Sequence, residues 1–209
     1  MHTLGRLHLI TDTRPGRDVP GVVGHALAAG FGVVQVRPED TVTDREAYDL
    51  TLRIVALCRA AGAVCLVNDR LHIALAAGAD GAHVGADDLP VSAARRILGP
   101  AAILGATARD PASARRAVLD GATYLGVGPA WATTTKTGLP PAIGLPGVRA
   151  VVEAVDVPVI AIGGVTPSRA AELFAVGAHA VAVVGAMSGA PDPAAAAAEF
   201  AAVLAGASR

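Results

Sequence analysis

Four stretches of this chain repeat one another: ALAAGFGVVQV (26–36), ALAAGADGAHVG (74–85), AVLDGATYLGVG (117–128) and LFAVGAHAVAVVG (173–185), with a fifth, LCRAAGAVCLVND (57–69), close to them. Each is an Ala/Leu-rich helix end, then a glycine, then a short β-branched run. Glycine just past a helix suits the left-handed position that ends it, and the short gap to the next apolar run is a tight helix-to-strand loop. Such junctions recurring along a chain mark βα units around a parallel sheet.

The pattern predicts strands at 6–11, 32–37, 63–67, 80–84, 101–105, 122–127, 157–162 and 179–184. Helices are predicted at 20–29, 43–61, 71–77, 90–98, 110–120, 145–155, 166–176 and 192–206. Eight strands, each followed by a helix, in 209 residues read as one (βα)8 TIM barrel over 1–209. The alternative is a doubly wound open sheet. It usually has fewer strands, and its dinucleotide form needs a G-x-G-x-x-G after the first strand, which is absent here. Hydrophobic residues make up 53% of the chain but aromatics only 3%, so the core must be Ala, Val, Leu and Ile, as buried parallel strands require.

A net charge of −1 with interspersed signs offers no basic stripe for nucleic acid and no polybasic run for a membrane surface. No apolar run approaches the roughly 20 residues that span a bilayer, and the first residues lack a signal-peptide pattern. Cys58 and Cys65 lack metal-site spacing, and the six histidines are scattered. The expectation is a cytoplasmic protein without structural zinc. Many barrels pair, which leaves a homodimer open.

In a barrel, chemistry belongs at the C-terminal strand ends. Read in order, the predicted ends carry Asp12; Gln35 and Arg37; Asn68 and Asp69; Asp87 and Asp88; Thr107 and Arg109; the loop 128–143; Gly163 and Gly164; and Gly185. The opposite ends carry little beyond Asp80 and Asp156. That asymmetry points to an enzyme. The glycines of AIGGVT (161–166) and VAVVGAM (181–187) follow the seventh and eighth strands, where such barrels bind phosphate through backbone N–H groups. Asp69 and Asp88 follow neighbouring strands, and two carboxylates without His or Cys suit Mg2+. Asp87 or Asp88 is alternatively a cap for the next helix.

Of the 17 Lys plus Arg, Lys136 is the single lysine, inside GPAWATTTKTGLP (128–140). A mobile point charge on a loop, beside the fixed forks of Arg37 and Arg109, suits a diphosphate. A cation site and a separate phosphate site together suggest two phosphorylated small-molecule substrates.

The segments LHLITD, VQVR, VNDRLHIALAAGADGAHVGADDLP, GVGPAWATTTK, AIGGV and AVAVVGAMS, in that order along nearly the whole chain, resemble the thiamine-phosphate synthase family. The resemblance implies condensation of a hydroxymethylpyrimidine diphosphate with a thiazole phosphate, giving thiamine phosphate and pyrophosphate by a dissociative substitution. It implies Mg2+ on Asp69 and Asp88, and the pyrimidine diphosphate on Gln35, Arg37, Asn68, Thr107 and Lys136, with Glu39 and Arg109 at the same end. It places the thiazole phosphate at Thr133, Thr134, Thr135, Gly164, Val184 and Gly185. Lys136, Arg37 and Thr107 would then assist departure of the diphosphate.

Four positions depart from the family pattern. Glu39 stands where a lysine is usual, Ala86 where Gln is common, and Thr107 and Arg109 where Ser and His are common. Arg109 is the expected replacement for the lost cation. Three other readings remain open from sequence: a thiazole tautomerase of the same superfamily, a Schiff-base aldolase using Lys136, and a non-catalytic phosphate-binding barrel.

Overall fold

The computed structural model describes residues 4–207 apart from 134, 136 and 137. Its strands are β1 Leu7–Ile10, β2 Val33–Val36, β3 Val64–Asn68, β4 Gly81–Val84, β5 Ile103–Ala108, β6 Tyr124–Val127, β7 Val159–Ile162 and β8 Ala180–Val183. All pair in parallel in chain order, and β8 returns to β1, so the barrel is closed. The helices are α1 Val19–Ala28, α2 Asp44–Ala61, α3 Leu71–Ala77, α4 Val91–Leu98, α5 Pro111–Leu119, α6 Gly144–Val152, α7 Pro167–Ala175, α8 Gly185–Ser188 and α9 Pro193–Ala207.

Local chemistry explains the boundaries. Thr43 and Glu46 cap α2 reciprocally, and Asp110 with Ser113 does the same for α5, whose Pro111 fits the first turn. Gly62 and Gly78 end α2 and α3 in the left-handed conformation. Strand alternation then sorts the core into two layers. Residues such as Val34, Val36, Val67 and Leu104 pack outward against the helices. Ile10, Val33, Leu66, Tyr124, Ile160 and Ala182 fill the barrel interior.

Three expectations need correction. The fifth strand runs 103–108 rather than 101–105, because its pairing with β6 continues to Ala108↔Val127. Ala101 and Ala102 instead belong to the turn after α4. The sixth helix spans 144–152 rather than 145–155. The chain after β8 first makes the short α8, closed by Met187 and Ser188 N–H donating to the Val184 carbonyl. Four residues are too few to leave a periodic signal. Among the described residues, no helix is long and apolar enough to cross a membrane.

Candidate active site at the C-terminal rim

Period-two alternation aims Gln35 of β2, Asn68 of β3, His83 of β4 and Thr107 of β5 into the barrel, near its C-terminal end. Three of them join one hydrogen-bonded chain. The His83 Nε2 lies 3.0 Å from Thr107 Oγ1, and its Nδ1 lies 3.0 Å from the Tyr124 hydroxyl. That hydroxyl is hydrogen-bonded in turn to Gln35. Burial pushes the Tyr124 phenol up and so keeps it protonated. Gly105, opposite Tyr124 in the ladder, makes room for the ring, since any Cβ there would overlap it. Among the described residues, no buried side-chain polar atom lacks a partner. Thr107 pairs with Gly126 in the ladder and so sits within β5, one residue before its end, rather than in a following loop.

Beyond β3, Asp69 takes a left-handed backbone, φ 58°, which Asp tolerates better than most residues. Its amide N–H donates to the His83 carbonyl at 2.9 Å, tying the bend to β4. Its carboxylate accepts from the Asn68 amide. Asp88, in the loop after β4, accepts from the Gly85 N–H at 2.8 Å. The capping reading fails here: α4 has Pro90 at its N-cap and no side-chain cap bond. Asp69 and Asp88 are both exposed. Among the described residues, no three His, Cys, Asp or Glu side chains form a ready-made metal cage. Two exposed carboxylates on adjacent loops fit a hard cation that keeps most of its waters, which is the habit of Mg2+.

Arg37 and Glu39 follow β2. Their side chains approach to 3.8 Å, so the carboxylate partly offsets the cation beside it. Thr11 and Thr13 hold this segment, accepting from the Arg37 and Glu39 N–H groups at 2.9 Å each. At the end of β1, the buried Asp12 takes a forked contact from Arg14, at 2.7 and 2.6 Å, and a hydrogen bond from Ser188 Oγ at 3.0 Å. Arg17 pairs with the same carboxylate at 3.2 Å and donates to the Ser188 carbonyl at 2.9 Å. The Arg14 contact above all pulls the Asp12 carboxyl down to about 2. This cluster fixes α8 against the first strand.

The far side of the rim is built from β6, β7 and β8. Ala130 and Trp131 N–H donate to the Ile162 and Gly163 carbonyls, at 2.8 and 3.1 Å, so the start of loop 128–143 lies along the end of β7. Gly164 has φ 63°, and a Cβ there would stand 2.8 Å from the Ala132 carbonyl oxygen and 2.9 Å from Trp131 Cβ. Arg169 donates to the Gly164 carbonyl at 2.7 Å and stacks over the Trp131 ring at 4.9 Å. Thr133 and Thr135 are linked through their hydroxyls at 3.2 Å. The Thr135 hydroxyl lies 3.1 Å from where a Gly185 Cβ would project. Val184 precedes α8 and caps it through its carbonyl alone. Thr134 and Lys136 lie outside the described residues.

Arg109 does not stand free at the mouth. Its guanidinium donates to the Gly128 carbonyl at 3.3 Å and to the Pro141 carbonyl at 2.5 Å. The expectation that it replaces the missing cation therefore meets a guanidinium whose fork is already engaged by backbone.

The rim thus has two ends. One, over β2 to β5, carries Gln35, Arg37, Asn68, Asp69, Thr107 and Asp88. The other, over β6 to β8, carries Thr133, Thr135, Gly164, Val184 and Gly185. Sequence reasoning gave no role to His83, Tyr124, Ser188 or Arg169. His83 lies inside a recognised motif, and Tyr124 is one of two tyrosines in an aromatic-poor chain. Those were the signals available for them.

The profile of the family described as "Thiamine monophosphate synthase" matches residues 7–187. A thiamine-phosphate synthase of Salinispora arenicola is 61% identical, over 96% of this chain and 97% of its own. One of Salinispora tropica is also 61% identical, over 93% and 94%. Among solved structures, the thiamine phosphate pyrophosphorylase of Pyrococcus furiosus superposes with a TM-score of 0.88. It is 34% identical and is matched over 97% of this chain and 96% of its own.

Proposed function

The chain belongs to the thiamine monophosphate synthase family, and we propose that it is a thiamine-phosphate synthase. It joins 4-amino-5-hydroxymethyl-2-methylpyrimidine diphosphate to a thiazole phosphate and releases pyrophosphate. The observation that carries this reading is the two-ended rim. Carboxylates and a guanidinium stand over β2–β5, and a glycine-lined end stands over β7–β8, so two phosphorylated substrates meet across one barrel mouth.

In this reading the bond between the pyrimidinylmethyl carbon and the diphosphate oxygen breaks first, and the electron pair leaves with the diphosphate. The thiazole nitrogen then gives its lone pair to the carbocation. Neither step needs a strong base, so the chemistry asks for charge stabilisation and alignment. Arg37 and Lys136 hold the departing diphosphate. Gln35 and Thr107, fixed by the Tyr124–His83 chain, orient the pyrimidine. The backbone N–H groups around Gly164 and Gly185, with Thr133, Thr134 and Thr135, hold the thiazole phosphate. Asp69 and Asp88, with Asn68 beside them, would hold Mg2+, which supplies positive charge to the diphosphate oxygens.

The test is pyrophosphate release from purified protein given both substrates and Mg2+. Release should require both substrates and the metal, and should fall at least about a hundredfold in Lys136→Ala, the scale of losing one preorganised charge contact. Release from the pyrimidine diphosphate alone, or an unaffected Lys136→Ala, would sink the assignment.

The Arg37–Glu39 approach favours one second reading, a thiazole tautomerase that does not use the diphosphate. Aromatisation of a thiazole carboxylate phosphate without any pyrimidine would identify it.

A further inference from the structure

Loop 128–143 leaves β6 at Gly128 and re-enters the fold at α6, and its two limbs run side by side at the base. The Ile143 N–H donates to the Pro129 carbonyl at 2.9 Å, and Gly144 N–H to the Ala130 carbonyl at 3.1 Å. This backbone zipper cannot continue on every side, because residues 129, 140 and 141 are prolines without an N–H to give. The carbonyls of Gly128 and Pro141 lie on opposite limbs of that neck. Both are taken by one side chain from another strand: Arg109, just past β5, through Nε at 3.3 Å and Nη2 at 2.5 Å. Nε and Nη2 are on the same edge of the guanidinium, so the rigid fork reaches both limbs at once. The turn carrying Arg109 is itself held, since Ser113 Oγ accepts from the Arg109 N–H at 3.4 Å and caps α5 with Asp110.

We propose that Arg109 is a positioning residue, a staple between β5 and both limbs of loop 128–143 that sets where Thr133 and Thr135 stand relative to Gly164 and Gly185. Its charge serves the loop and not the diphosphate. A lysine at 109 keeps the charge but offers one ammonium where two separated carbonyls need a planar fork. A histidine reaches at most one of them. The kinetic part of this inference rests on the synthase reading; the structural part does not.

Because Lys136 is the only lysine in the chain, a lysine-specific endoprotease reports on this loop alone. Native-state cleavage at that single site is measured for wild type, Arg109→Ala and Arg109→Lys, and arginine-directed cleavage of the rest of the chain serves as the control for global folding. Both variants should be cut about tenfold faster than wild type, the equivalent of about 1.4 kcal/mol of lost loop stability, with the arginine-directed rate unchanged. In steady-state kinetics both should raise KM for the thiazole phosphate about tenfold, while KM for the pyrimidine diphosphate stays within about twofold. Unchanged cleavage in both variants overturns the staple. So does an Arg109→Lys that behaves as wild type while Arg109→Ala loses only affinity for the diphosphate, for then the charge contacts substrate. If wild type makes no pyrophosphate, the synthase reading fails, and the cleavage rates still decide the staple.

Discussion

Replacing Tyr124 by Phe removes one oxygen atom and keeps the ring, which makes it a clean probe of the barrel interior. Tyr124 is 2% exposed, and its hydroxyl joins His83 at 8% exposure to Gln35 at 7%. Deleting it takes one partner from each of two buried polar side chains, while the ring's packing among Ile10, Val33, Leu66 and Ile160 is retained. A buried group that loses its partner costs about 1–3 kcal/mol, so two such losses should destabilise the fold by about 3 kcal/mol. For a chain of this length that is a fall in Tm of about 10 °C. Urea unfolding followed by the fluorescence of Trp131, the single tryptophan, measures it. The same variant unpins Gln35 and Thr107, so KM for the pyrimidine diphosphate should rise while KM for the thiazole phosphate stays close to wild type. A stability change under about 0.5 kcal/mol, the size of an ordinary surface substitution, would refute the chain as a structural element. Equal rises in both KM values would refute its link to the pyrimidine end.

Gly164→Ala places a side chain on φ 63° and within 2.9 Å of the Trp131–Ala132 backbone segment; it should cost about 2 kcal/mol in urea unfolding and raise KM for the thiazole phosphate. Burial lowers the His8 pKa to about 4 from its ordinary 6.5. Between those values the unfolded chain binds the extra proton, so stability rises with pH. Unfolding free energy should therefore drop by about 2 kcal/mol from pH 7 to pH 5, and the drop should vanish in His8→Gln. Asp88→Ala removes one proposed oxygen ligand, and the Mg2+ concentration giving half-maximal pyrophosphate release should rise about tenfold or more, a loss of about 1.4 kcal/mol of binding.

The repeated helix–glycine–strand junctions, with the apolar runs between them, were enough to specify eight βα units, and that number pointed to a barrel; closure itself is the pairing of β8 with β1. The ends of the predicted strands put Gln35, Asn68, Asp69, Asp88, Thr107, Gly164 and Gly185 at the rim. These are local signals: hydrophobic period, turn chemistry and spacing act within a dozen residues. The remaining features depend on contacts between distant parts of the chain. Tyr124 meets Gln35 across the interior, Ser188 reaches from α8 to Asp12 just past the first strand, and Arg109 reaches Pro141 over the neck of a loop. Such pairings require the ladder register and barrel closure to be set first, because only then do side chains far apart in sequence come within a few ångströms. Arg109 shows the difference most plainly. Its sequence position at the mouth suggests a substrate cation, but prolines 129, 140 and 141 leave the loop short of N–H donors there, and the closed barrel brings the Gly128 and Pro141 carbonyls within reach of its fork.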